Sequence, residues 1–330
     1  MRAIVYDRYG PPEILRLEEL DRPVPSSGDV LVRVRAASVN RSDCAWRAGD
    51  HPLIRVLGGI RRPKRRVLGS ELAGEVAALG PDVTGFEIGD AVFGVKAYLS
   101  EGFGAHAEFV LARAAGALAH KPESLTFEEA AGVGDGALNA LTSLERVGLR
   151  SGQRILVYGA SGSIGTAAVQ LARDAGAHVT GVCGSNHLEI VRSLGADRVI
   201  DYTQEDFTHR RERWDVIFDA VGKLAFRRVR GSLASGGYLI ATDGLWNFVV
   251  LPLVTRWSGG RRVVAPVPRY SKEHILRLKE LLESGRYRPV IDRVFPLDQV
   301  VEATRYVETH HKTGNVVLTV ASEEVQEPAG

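Results

Sequence analysis

Seven consecutive residues, Gly159-Ala160-Ser161-Gly162-Ser163-Ile164-Gly165, have the types and spacing of a phosphate cradle. A dinucleotide pyrophosphate is held by backbone N–H groups, which needs residues without bulky side chains where the main chain comes close. Gly162 would allow that approach, and Gly165 would let the following helix pack closely on its strand. Ala160 stands where the fingerprint usually opens with glycine. The amides of Ser163, Ile164 and Gly165, at the positive end of a helix, would then hold the phosphates. A tight turn without a ligand uses similar glycines, so the flanking elements must decide.

Those elements are the right ones. Ile155-Leu156-Val157-Tyr158 is a short apolar run suited to a buried parallel strand. After the turn, Ala167, Ala168, Leu171 and Ala172 share one face of a helix that Gly176 ends. A second apolar strand, Val179 to Val182, completes a βαβ unit. In that setting the glycine pattern is a strong dinucleotide signal.

The end of the second strand bears on which dinucleotide is bound. NAD sites place Asp or Glu there to accept from the ribose hydroxyls. This chain reads Cys183-Gly184-Ser185-Asn186, with no carboxylate before Glu189. Repulsion of a 2′-phosphate is missing at that point, and Ser185 and Asn186 can donate to one. NADPH is favoured over NADH.

At 330 residues, two domains are expected. An apolar fraction of 45% and a charged fraction of 25% are those of an ordinary soluble globule. The formal net charge of +2 argues neither for nor against an anionic partner. Only Cys44 and Cys183 occur, too few for a disulfide framework or a cysteine-rich zinc lobe, which fits a reducing cytoplasm. Met1 runs directly into the strand-like Ala3 to Tyr6, so no secretory leader is expected. Phe248 to Val254 is too short to span a bilayer, and the last eight residues read as disordered. The basic run Arg61-Arg62-Pro63-Lys64-Arg65-Arg66 has no aromatic stacking partners. It reads as a solvated loop, with phosphate recruitment second, and no nucleic-acid partner is expected.

Residues 1 to about 117 are β-rich, with short strands at Ala3–Tyr6, Val30–Ala36, Leu72–Leu79 and Ala91–Val95. The alternation in Val30-Leu31-Val32-Arg33-Val34-Arg35 predicts a half-buried strand. From Thr126, a candidate cap, the pattern turns helical and then alternates strand and helix, as a doubly wound parallel sheet does. Helices at Ser271–Ser284 and Leu297–Glu308 and a strand at Asn315–Val320 follow. The edge strand Arg262–Ala265 could pair with its copy across a twofold axis, so a homodimer is expected.

Ser38-Val39-Asn40-Arg41-Ser42-Asp43, Gly69-Ser70-Glu71-Leu72-Ala73-Gly74 and Gly85-Phe86-Glu87-Ile88-Gly89-Asp90 carry a family likeness. So do Gly104-Ala105-His106-Ala107-Glu108, the glycine turn, Leu194-Gly195-Ala196-Asp197 and His311-Lys312-Thr313-Gly314-Asn315. In order along nearly the whole chain, they resemble a zinc-independent member of the medium-chain dehydrogenase/reductase superfamily, near the quinone oxidoreductase branch. The resemblance implies an α/β protein with a GroES-like β-rich catalytic domain, split over residues 1–120 and 266–330. A Rossmann doubly wound parallel-sheet domain would occupy residues 121–265. It also implies that Asn139, Thr142, Tyr202, Val221, Gly222, Lys312 and Asn315 approach the cofactor, although each could equally be a packing or surface residue.

Relatives that oxidise alcohols hold a catalytic zinc with a Cys, a His and a second Cys or Glu. The matching segments here carry Asn40 for the cysteine and Ser70 for the imidazole, and amide and hydroxyl groups are poor zinc ligands. No metal is expected. Without a Lewis acid, reducing an electrophilic conjugated system is easier than removing hydride from an alcohol. The expected reaction is therefore hydride transfer from NADPH to a quinone or an α,β-unsaturated carbonyl. By resemblance Asn40 and Asp43 lie near the nicotinamide, although Asp43 reads as readily as a helix-capping residue. The other readings are a zinc-free alcohol dehydrogenase and a non-catalytic nucleotide-binding protein of the same fold.

Overall fold

A computed structural model describes residues 1–96, 104–242, 250–255, 260–265 and 267–320 of the chain. Residues 248 and 249 of the apolar run 248–254, and the C-terminal tail from 321 onward, lie outside the described residues. Two compact units divide the chain. One takes Met1–Gly134, Tyr270–Lys279 and the chain from Ile291 on; the other takes Asp135–Arg269 and Glu280–Val290.

The first unit is built on strands. β1 (Arg2–Val5) and β2 (Arg16–Glu19) form an antiparallel ribbon. β3 (Asp29–Val39), β4 (Glu71–Leu79), β5 (Ala91–Val95), β6 (Phe109–Arg113) and β7 (Ala117–His120) form the body of a seven-stranded sheet. β14 (Ile291–Pro296) and β15 (Asn315–Thr319) extend it, in the order β14-β15-β3-β4-β5-β7 with β6 paired to β3. The alternation in β3 predicts one wet face, yet nine of its eleven residues are buried. β3 pairs with β4, β6 and β15, which cover more of it than one pleated sheet would. β14 escapes a reading by pattern because Asp292, Arg293 and Pro296 interrupt its apolar residues. Val32, Val34, Leu72, Val92, Leu118 and Leu318 lie in the unit's core.

α1 (Arg41–Ala48) and α2 (Pro52–Gly58) follow β3. α3 (Phe127–Ala131) starts at Thr126, whose side chain accepts from the Glu129 amide while the Glu129 carboxylate accepts from the Thr126 N–H. That capping box starts a helix that Gly132 ends, and α4 (Gly134–Val147) continues the helical stretch.

In the second unit, β8 (Arg154–Tyr158), α5 (Ser163–Asp174), β9 (His178–Cys183), α6 (Leu188–Ser193) and β10 (Arg198–Asp201) run in succession. β11 (Trp214–Asp219), β12 (Leu233–Ala241) and β13 (Arg262–Val264) follow. All pair in parallel, in the order β10-β9-β8-β11-β12-β13. This is the Rossmann order: the chain winds outward from β8 in one direction, then from β11 in the other. The reversal opens a crevice at the carboxyl ends of β8 and β11, where dinucleotides bind in such sheets. Leu156, Val182, Trp214, Ile217 and Leu239 pack the core, with Phe207 edge-on to Trp214 at 5.9 Å. Among the described residues no helix is long and apolar enough to cross a membrane.

Candidate active site

The glycine turn leaves β8 at the point where the sheet reverses. Gly159 has φ +79°, a left-handed conformation open to glycine, and a Cβ there would strike Val221 Cγ2 at 2.2 Å. Val221 follows β11, so the turn and the β11 loop close on each other. Asp219, fully buried at the end of β11, accepts from the amides of Val221 (3.1 Å), Gly222 (2.9 Å) and Leu224 (2.6 Å). One carboxylate thus shapes the loop that carries two predicted cofactor residues.

Gly162 and Gly165 serve different needs. A Cβ on Gly165 would sit 2.0 Å from the Gly159 carbonyl oxygen and 2.8 Å from Ala160 Cα, so helix-to-turn packing requires glycine. Gly162 is the N-cap of α5, with φ −78° and ψ 177°, which any residue adopts. Among the described residues its Cβ would meet only the Gly159 carbonyl, at 3.6 Å, and none of them needs glycine at 162. The space beside it fits a group brought close to the helix N-terminus, so the residues suit a dinucleotide pyrophosphate. Ala160 is buried beneath the turn, and Ser163 and Ile164 open the first turn of α5. Ser163 also packs against α4, where Gly136 leaves room for its hydroxyl.

At the end of β9, Ser185 and Asn186 lie in a short 3-10 turn. Ser185 Oγ donates to Asp201 Oδ2 at 2.6 Å and lies 3.1 Å from Thr203 Oγ1. β10 pairs in register with β9, Asp201 opposite Cys183, which delivers the carboxylate to a corner that appears free of acids along the chain. The Ser185 hydroxyl and the Thr203 amide pull the Asp201 pKa below its usual range. Tyr202, exposed, lies over Gly184: a Cβ on that glycine would be 3.5 Å from the tyrosine oxygen. On α4, Thr142 donates its hydroxyl back to the Leu138 carbonyl at 2.7 Å, and Ser143 reaches the Asn139 side chain at 3.4 Å.

The first unit gathers Asn40, Asp43 and Lys312 with three residues that pattern reading left without a role. Asn40 caps α1: its Oδ1 accepts from the Asp43 amide at 2.9 Å, and the Asp43 carboxylate accepts from the Asn40 N–H at 3.0 Å. Asp43, almost fully buried, also accepts from the Gly69 amide at 3.1 Å, tying α1 to the strand entry at Ser70. Asn40 Nδ2 donates to Ser70 Oγ at 3.1 Å and to Glu71 Oε2 at 3.2 Å, and Ser38 Oγ donates to the same carboxylate oxygen. β3 and β4 are antiparallel neighbours, which is why Ser38 and Glu71 meet across 33 residues. Ser38 and Glu71 stand inside family-like segments, and that was the one available signal for them.

Lys312, half-buried, donates to the Gly314 carbonyl, and burial pushes its pKa down to about 8 against the pull of Glu71 and Asp292. Asn315 is buried at the start of β15, where its Cβ lies 3.3 Å from the position a Cβ on Gly132 would take. His106, the third missed residue, points Nε2 at the Ser38 carbonyl, 2.8 Å away, and its buried Nδ1 has no hydrogen-bond partner among the described residues. Burial lowers its pKa to about 4, so the ring stays neutral. Cys44, beside Asp43, is buried, and burial pushes its thiol up to about 12. Phe93 is wholly in the core, while Trp46 packs over Gly58.

Comparison with known proteins identifies the family and the fold. The family model for the alcohol dehydrogenase GroES-like domain matches residues 26–123, and that for zinc-binding dehydrogenase matches residues 194–318. The chain is 33% identical to a 2-methylene-furan-3-one reductase from Solanum lycopersicum, over 96% of its length and 79% of the relative's. The chain belongs to the medium-chain dehydrogenase/reductase superfamily. Within that superfamily it falls in the quinone oxidoreductase-like branch and is an oxidoreductase. A chloroplastic NADPH-dependent alkenal/one oxidoreductase from Arabidopsis thaliana is likewise 33% identical, over 96% of this chain and 79% of its own. The quinone oxidoreductase structure from Coxiella burnetii superposes with a TM-score of 0.88 at 28% identity, covering 97% of this chain and 99% of that one.

Proposed function

We propose that this oxidoreductase transfers hydride from NADPH to a quinone or an α,β-unsaturated carbonyl without a metal. The observation that carries the reading is the engagement of Asn40: its amide nitrogen donates to Ser70 and Glu71 at the position zinc-dependent relatives use for a ligand. An amide nitrogen has no lone pair to give a metal, and the neighbouring Cys44 thiol resists becoming thiolate. These residues do not fit a catalytic zinc. The Arabidopsis relative's printed dependence on NADPH and action on alkenals and enones support the cofactor and acceptor class.

NADPH, when bound, supplies the hydride. The chain's residues hold and orient it. The N-terminus of α5, with Ala160, Gly162, Ser163, Ile164 and Gly165, would take the pyrophosphate. Asn186 and Tyr202, with Ser185, would meet the 2′-phosphate, and Val221 and Gly222 would border the crevice. Asn139, Thr142, Lys312 and Asn315 are proposed as further cofactor contacts. Asn40 is proposed beside the nicotinamide, its amide fixed by Ser70 and Glu71, with Asp43 as the residue that positions it through the capping box. The proton on the reduced product would come from water or a neighbouring polar group.

The test is NADPH oxidation with 1,2- and 1,4-quinones and with 2-alkenals, with and without a chelator. Turnover unchanged by chelator is expected. Turnover that collapses with chelator would overturn the metal-free reading, and tight NADPH binding without turnover on any acceptor would favour a binding protein. We further propose a cytoplasmic homodimer paired through β13, an edge strand of its sheet. Sedimentation at a monomer's mass would dismiss the dimer.

A further inference from the structure

We propose that α2 and the loop after it attach this protein peripherally to an anionic lipid bilayer. Leu53, Val56, Leu57 and Ile60 are 49, 62, 45 and 72% exposed. Leu53, Val56 and Leu57, three and four residues apart, share one side of α2, and Ile60 follows in the loop after Gly59 ends the helix. They make up four of the thirteen exposed large hydrophobic residues among the described residues, and no eight-residue window elsewhere in the described chain holds more than two. Single exposed apolar residues are ordinary; four within eight residues mark a contact.

The loop that follows says what the contact is. Arg61, Arg62 and Lys64 are exposed, and no side-chain partner holds them among the described residues. Arg66, by contrast, is held by Asp7 and Glu18. Three unpaired cations within five residues of an apolar stripe match a surface that is apolar below and anionic above, as the interface of an acidic bilayer is. A second copy of the same surface would bring like charges together, and a nucleic acid would leave the four apolar side chains uncovered.

The display is anchored. Tyr9 donates its hydroxyl to the Gly59 carbonyl at 2.7 Å, the Lys64 amide bonds to the Gly58 carbonyl at 2.7 Å, and Pro63 is buried. Arg55 turns back to the Gly49 carbonyl at 2.7 Å and stacks on Tyr9 at 5.1 Å, leaving the stripe uncovered. Attachment of this kind needs no spanning helix, and it goes beyond the redox reading without resting on it.

The test is co-sedimentation of the full chain with vesicles of phosphatidylcholine alone and of phosphatidylcholine with roughly one third phosphatidylglycerol. Binding to the anionic vesicles at least about tenfold tighter than to the neutral ones is expected, weakened several-fold by about 0.5 M salt. The double variants Val56→Asp with Ile60→Asp and Arg61→Glu with Arg62→Glu should each lose that binding while keeping the parent's circular dichroism and melting midpoint. Equal binding to both vesicle types, or binding that survives either variant, would overturn the proposal. A fall from dimer to monomer mass in the Val56→Asp variant, or DNA binding that needs the arginines but not Val56, would also overturn it in favour of self-association or a nucleic acid.

Discussion

The hydroxyl of Ser185 lies 2.6 Å from Oδ2 of Asp201, across the paired ends of β9 and β10, and donates its proton to a carboxylate that also accepts from the Thr203 amide and hydroxyl. That spends a donor which pattern reading assigns to a 2′-phosphate and adds a negative charge beside it. Asp201→Asn should therefore raise the preference for NADPH over NADH by roughly two- to fivefold, the size suited to an exposed, salt-screened charge. Fluorescence titration with both cofactors measures it. An unchanged ratio would place the 2′-phosphate elsewhere.

Gly162 and Gly165 should respond to substitution in opposite ways. Gly162→Asp puts a favoured capping side chain on α5, so stability should hold or rise by a few tenths of a kcal/mol. The same carboxylate would occupy the proposed phosphate site, and NADPH affinity should fall on the order of a hundredfold. Gly165→Ala would drive a methyl into the Gly159 carbonyl and lower stability by about 1–3 kcal/mol or more. Undiminished NADPH binding in Gly162→Asp would remove the turn from the site.

His106 should give the protein an acid-sensitive step. Its folded pKa of about 4 lies below the ordinary histidine value of 6.5, so between these values the unfolded chain binds the proton and the folded one does not. Stability rises with pH wherever the unfolded state holds more protons. The contribution is complete above pH 6.5 and is lost as the pH falls toward 4, on the order of 3 kcal/mol. Urea unfolding of the parent and of His106→Gln at pH 4.5 and 7 tests this. The variant should lose less stability than the parent between the two pH values, and parallel losses would refute the assignment.

The parts legible in the sequence are those that few consecutive residues determine. From Ile155 to Val182, a strand, a glycine turn, a helix and a second strand follow from local propensity and close packing, and the structure has them within a residue or two. The poor zinc chemistry of Asn40 and Ser70 was also plain, because ligand quality belongs to a side chain's own atoms. Thr126 was legible as a helix cap for the same reason, and the structure adds the reciprocal bond from Glu129 that makes a capping box. What the tertiary structure alone decided is who partners whom. Glu71 meets Ser38 and Asn40 because β4 runs against β3, and Asp201 meets Ser185 because β10 lies in register with β9. Sheet register sets such pairs across tens of residues, and no periodicity along one strand encodes the position of its neighbour. The neutral His106 and the lowered pKa of Lys312 arise likewise from burial, which depends on what the rest of the chain packs around them.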